Sequence, residues 1–165
     1  MFDVLVFVYE NYWRGDDCPE SDQLARKLSA VGFETEEIRE ALTWLDGLSV
    51  MAQGTHWLPP EAEVRQQARE LVRLQAPTSM RIFTVAEQDH LGASCLGFVS
   101  FLESAGVLPP PMREIVLDRA MAVPAPITLD DLKLIVLMVY WRFGEEPDAL
   151  VLDELCDDTL YRVAH

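Results

Sequence analysis

Apolar residues recur at helical spacing along most of this chain, the pattern of helices that each bury one side. Phe2, Leu5, Val6, Tyr9, Tyr12 and Trp13 form the first stripe, ended by Gly15 and the polar residues up to Ser21. A second helix is predicted over Ser21–Val31, with Leu24, Leu28 and Val31 inward and Gly32 as its stop. Thr35 can cap a third, on which Ile38, Ala41, Leu42 and Leu45 repeat the stripe. From Ser49 to Pro60 the period fails, and Gly54 with Pro59-Pro60 marks a loop with a small hairpin around residues 50–58.

A thinly apolar helix follows over residues 61–74 (Val64, Ala68, Leu71, Val72), and Pro77-Thr78-Ser79 reads as the boundary between halves. After a short extended stretch from Met80 to Phe83, Thr84 with Glu87 gives the signature of a capping box. The helix it opens, to Ala105, has Leu91, Cys95, Phe98 and Leu102 on one face and is expected to be the central buried one. Gly92 and Gly97 are expected to let another backbone come close to it. Pro109-Pro110-Pro111 precedes a helix over residues 112–122, and Thr128 with Asp131 makes a second capping box before an apolar helix over residues 129–142. A last helix is predicted over residues 148–163. The fold class is all-α, with about eight helices. Three units are expected: residues 1–58, a variable linker over 59–78, and a bundle over 79–165 packed on the first.

Composition changes this picture in one respect. The chain has 165 residues, half of them apolar, enough for a core without covalent staples. Its formal net charge of −15 is unusual, and it is spread almost evenly over residues 1–78 and 79–165. Such a surface repels phosphate backbones and anionic headgroups; it suits solubility, as a solvated acidic surface and nothing more, or a basic protein partner. Three widely spaced cysteines, Cys18, Cys95 and Cys156, argue against a disulfide framework and for a reducing compartment. The apolar run after Asp3 has no basic leader, and residues 134–141 are far too short for a membrane span. A cytoplasmic protein is expected.

Candidate chemistry is sparse. Glu87 and His90 have the spacing of one half of a carboxylate-bridged metal site, but no second such pair exists, so no metal or cofactor is expected. Cys95 and His90 lie about 140° apart on one helix and cannot form a local dyad. Ser94 lacks a nucleophile elbow, and Cys95 reads as a small buried hydrophobe. Acids such as Asp130-Asp131 in a first helical turn are explained by the helix dipole. Without a glycine-rich phosphate loop either, the sequence points to no enzyme.

The strongest local pattern lies between Leu24 and Leu45, where two short helices joined by Gly32-Phe33-Glu34 approach helix-turn-helix spacing. With a hairpin wing they would make a winged-helix-like unit. Its would-be recognition helix presents Glu36, Glu37, Arg39, Glu40, Thr43 and Asp46, a net acidic face that makes direct nucleic-acid binding an unfavourable expectation.

Several segments together resemble a known family. Met1-Phe2-Asp3-Val4-Leu5, Gly32-Phe33, Ile38, Ala41-Leu42 and Trp44-Leu45 carry the resemblance in the first half. In the second it is carried by residues 79–84 (Ser-Met-Arg-Ile-Phe-Thr), Ala93-Ser94-Cys95, Gly97-Phe98, Phe101-Leu102-Glu103, Arg113-Glu114, Arg119, residues 129–133 (Leu-Asp-Asp-Leu-Lys) and Leu137-Met138-Val139. The chain is similar to the bacterial Smg protein family over nearly its whole length. The resemblance implies no molecular activity, because the family has none assigned.

The reading is therefore an α-helical adaptor or regulator acting through protein–protein contacts, as a monomer or weak homodimer. The alternative is a nucleic-acid-associated factor built on the winged-helix-like unit. The candidate contact residues are the charged members of the family-like segments: Arg81, Glu103, Arg113, Arg119, Asp130, Asp131 and Lys133. The competing account of the four basic ones is internal pairing with Glu103, Glu114, Asp130 or Asp131.

Overall fold

Eight successive apolar residues, Leu134 to Trp141, give one helix no polar side, so the rest of the chain must be built around it. The computed structural model, which describes residues 1–12, 20–54 and 81–144, has that arrangement. Among the described residues there are six helices and no strand: α1 (Phe2–Tyr12), α2 (Ser21–Val31), α3 (Thr35–Gly54), α4 (Val85–Ser104), α5 (Pro110–Met121) and α6 (Leu129–Phe143). Helix α6 is central. It packs on α5, α1, α3 and α4, and every residue from Leu132 to Tyr140 is buried.

The local causes are visible in the sequence. Thr84 accepts from the Glu87 amide and Glu87 accepts from the Thr84 amide, and Thr128 and Asp131 exchange the same pair of bonds at the start of α6. Prolines at the first positions open α5. Gly32 and Gly144 close α2 and α6 in the left-handed conformation. One apolar cluster runs through all six helices, from Val4, Leu5 and Val8 to Leu28, Trp44, Leu48, Val99, Leu102, Val116 and Ile135. Among the described residues, every buried side-chain nitrogen and oxygen has a hydrogen-bond partner.

Four expectations need correction. Residues 50–54 continue α3 instead of starting a hairpin, because Leu48 (buried) and Met51 (half-buried) extend the apolar stripe past Ser49. Val31 is exposed, since α2 ends there beyond the edge of the core. The central helix is α6, not α4: Ala93, Ser94, Gly97, Ser100 and Phe101 of α4 face outward. Gly92 and Gly97 admit no close neighbour either, as a Cβ at either position would meet nothing within 4 Å. The close approach belongs to Gly47, where a Cβ would lie 1.9 Å from Nη1 of Arg119 and the two helices α3 and α5 cross. Residues 55–58 of the expected hairpin, the helix expected over 61–74, the linker over 59–78 and the helix over 148–163 lie outside the described residues.

No helix among the described residues is long and apolar enough to cross a membrane.

Candidate functional site

The charged residues singled out in the sequence fall into three places, one of them a continuous cluster. Arg81, in the extended segment before α4, is held by two carboxylates. Its guanidinium donates to Glu87 at 2.8 and 3.0 Å and to Glu114 of α5 at 2.9 and 3.0 Å. Its Cζ also lies 5.1 Å from the centre of the Phe83 ring. Arg113, buried on α5, donates to Glu114 at 2.7 and 3.0 Å and to Glu103 near the end of α4. Two arginines thus bridge three glutamates, joining both ends of α4 to the first turn of α5. Glu103, Arg113 and Arg81 belong to this cluster, as do Glu87 and Glu114.

The cluster explains the titration behaviour at its core. The hydrogen bonds from Arg81 hold the Glu87 carboxyl well below its usual range, at about 2. Burial works to raise Glu114, but its bonds from Arg81 and Arg113 outweigh that and leave it lowered. Arg81 itself is pushed upward by the same two partners.

A lowered carboxyl contributes stability that is present above its unfolded value and is lost as pH falls through its folded one. For Glu87 that window runs from 4.5 down to about 2. Urea midpoints followed by circular dichroism should therefore fall across this window more steeply in the wild type than in Glu87→Gln, by about 1–2 kcal/mol after allowance for solvent screening. Parallel curves would refute the assignment.

Arg119 lies elsewhere, at the α3–α5 crossing. It donates to Asp118 at 2.6 and 3.0 Å and to the Trp44 carbonyl at 3.4 Å, while the Trp44 indole donates to the Arg119 carbonyl at 3.0 Å. Lys133 is buried at the start of α6 with its Nζ 5.9 Å from the Phe98 ring centre. Asp130 and Asp131 are half-buried in the same turn, and Asp131 is bound into the Thr128 cap.

The residues weighed for catalysis are apart from one another in function. Glu87 faces Arg81 and Thr84, whereas Nε2 of His90 sits 3.2 Å from the Ala120 carbonyl. Cys95 is buried with its Sγ 4.0 Å from the Ile127 carbonyl, and burial, aided by Asp131, pushes the thiol upward. Cys18 and Cys156 lie outside the described residues. Sequence reasoning missed Glu87 as a partner of Arg81, although its role in the cap was read correctly. The signal was the arginine three residues before Thr84, close enough in an extended segment to fold back onto the box.

With this geometry in hand, comparison with known proteins gives one consistent answer. The whole chain, residues 1–165, matches the model of a family described as a protein of unknown function (DUF494). It is 57% identical to the Smg homolog of Leptothrix cholodnii and 56% identical to that of Methylibium petroleiphilum, each over the full length of both chains. The Smg homolog of Bordetella avium is 48% identical, again end to end. The chain belongs to the Smg family. No solved structure matches it. The Smg family carries no assigned molecular activity in these descriptions, so the arginine–glutamate cluster must be interpreted from its own chemistry.

Proposed function

We propose that this Smg-family chain is a non-enzymatic, cytoplasmic adaptor or regulator that acts through protein–protein contacts, with a partner surface of basic character. The observation that carries this reading is where the charges point. Within residues 81–144 the five basic side chains, Arg81, Arg113, Arg119, Lys133 and Arg142, are all buried or half-buried. The exposed charges of the same stretch are Asp89, Glu114 and Asp118, all acidic. Within this stretch the internal use of cations leaves the exposed charge acidic, in keeping with the chain's net charge of −15. A surface of this kind speeds encounter with a cationic partner and opposes phosphate. Among the seven contact residues, Glu103, Asp130 and Asp131 are half-buried carboxylates, and Arg113 holds Glu103 in place.

The second reading, a nucleic-acid-associated factor with a winged-helix-like unit in residues 1–58, draws support from one feature. Gly32, in the left-handed conformation, turns α2 into α3, which pack on each other. Against it, the outer side of α3 carries Glu36, Arg39, Glu40, Thr43 and Asp46, and Arg39 is already paired with Glu36.

Two experiments separate these readings. Capture from the native lysate on the tagged chain should yield a specific, basic protein that is released by salt. In fluorescence-anisotropy titrations at physiological salt, duplex and single-stranded DNA should bind more weakly than about 10 μM, for want of cations to neutralise phosphate. Tight, salt-sensitive DNA binding without a protein partner would replace the adaptor with the second reading.

A further inference from the structure

Helix α4 is not one helix. Gly92 adopts φ +70° and ψ 171°, values that break the helical path between Leu91 and Ala93. Space does not impose this, since a Cβ at Gly92 would meet nothing within 4 Å. The break is a conformation that glycine permits and other residues resist. It divides α4 into two pieces held in different ways. The C-terminal piece, from Ala93 on, buries Cys95, Val99 and Leu102, each no more than 1% exposed, and ties Glu103 to Arg113. Among residues 81–91 only Leu91, beside the break, is buried, while Ile82 and Val85 are 89% and 72% exposed.

Among the described residues, what fastens the outer piece to the rest, apart from Leu91 and the half-buried Phe83, is polar. Arg81 reaches Glu114 through two hydrogen bonds, and His90 meets the Ala120 carbonyl, so both attachments end on α5. The remaining polar contacts of the segment are internal: Arg81 to Glu87, the Thr84–Glu87 box, and Gln88 to the Phe83 carbonyl at 2.8 Å. These would travel with the segment if it moved.

The geometry points to a hinged clasp: residues 81–91 form a preassembled unit that opens from α5 about Gly92, with the Arg81–Glu114 pair as its fastener. Opening costs little apolar burial beyond Leu91 and the half-buried Phe83 ring, and it uncovers that apolar surface together with the edge of the Arg81 guanidinium that Glu114 holds. Regions with few buried apolar contacts and partly exposed polar fasteners are those that open below the global unfolding free energy.

Native-state hydrogen exchange of the full chain, read by mass spectrometry on peptides covering 85–91 and 93–104, tests the clasp. Residues 85–91 should exchange faster than 93–104. Glu114→Gln should speed exchange of 85–91 by about five- to tenfold, as should about 1 M salt, which screens the pair, with 93–104 little changed. Arg81→Gln should do the same. Glu103→Gln, which loosens only the inner anchor, should leave 85–91 unaffected. Common rates for the two peptides in the wild type, or equal acceleration of 85–91 by Glu103→Gln and Glu114→Gln, would show one cooperative helix and overturn the proposal. So would a Glu114→Gln variant with unchanged exchange in 85–91.

Discussion

Leu137→Asp is expected to remove most of the protein's stability, about 4–5 kcal/mol or more, and to leave little folded material at physiological temperature. Leu137 is fully buried in the middle of α6, and Ile135, Val136, Met138 and Val139 around it are equally inaccessible. A carboxylate there would be set among these apolar side chains, and its desolvation would be costly. Leu137→Ala isolates the smaller part, the lost transfer energy and the cavity, and should cost about 2–5 kcal/mol. Urea unfolding of both variants checks this. An Asp variant that melts with the wild type would mean that α6 faces a partner in place of the core. The packing of Tyr140 and Trp141 argues for the core. The Tyr140 hydroxyl donates to the Val107 carbonyl, and the Trp141 indole donates to the Tyr12 carbonyl at 3.1 Å, tying α6 to the α4–α5 turn and to α1.

How this core was legible in the sequence, and where legibility stopped, has a physical pattern. Local signals survived: both capping boxes, the glycine stop after α2 and the prolyl start of α5 depend on residues within one turn of each other. Apolar periodicity located the helices but could not rank them. Helix α4 has as many large apolar residues as a central helix needs, yet Phe101 points out and Gly92 breaks the path. The eight-residue run in α6 was the better guide, because a helix with no polar side can only be inside. The hairpin expected at residues 50–58 failed in its first half for a related reason. Glycine and proline further on suggested a turn, whereas Leu48 and Met51 had tertiary contacts that carried α3 forward. At the candidate site, internal pairing with Glu103 and Glu114 was among the accounts the sequence offered, and Arg113 and Arg81 have those partners, but Glu87, Asp118 and the Trp44 carbonyl could not be named as partners. Arg81 and Glu114 are 33 positions apart, and Trp44 and Arg119 are 75 apart. Only the fold brings such pairs together.

Arg113→Ala tests whether the cluster that the fold assembles also stabilises it, and a loss of about 2–4 kcal/mol is expected. The Arg113 side chain is 6% exposed, whereas Glu103 and Glu114 are 27% and 47% exposed. Removing the guanidinium leaves a cavity and two carboxylates that face each other without the cation between them. Glu114 keeps Arg81, so Glu103 bears most of the consequence. Since water can reach Glu103 in part, the cost should fall short of that for a fully buried orphan charge. Arg113→Met separates the contributions. It refills most of the volume, so its deficit relative to wild type reports charge alone, and adding Glu103→Gln to it should restore part of that deficit. A double-mutant cycle between Arg113→Met and Glu103→Gln, followed by urea unfolding, should give a coupling of about 1–2 kcal/mol that shrinks as salt is raised. Additive effects in that cycle would mean that the two side chains are neighbours without energetic coupling. The stability of the α4–α5 junction would then rest on Leu102, Leu108 and Met112, which are almost wholly buried there.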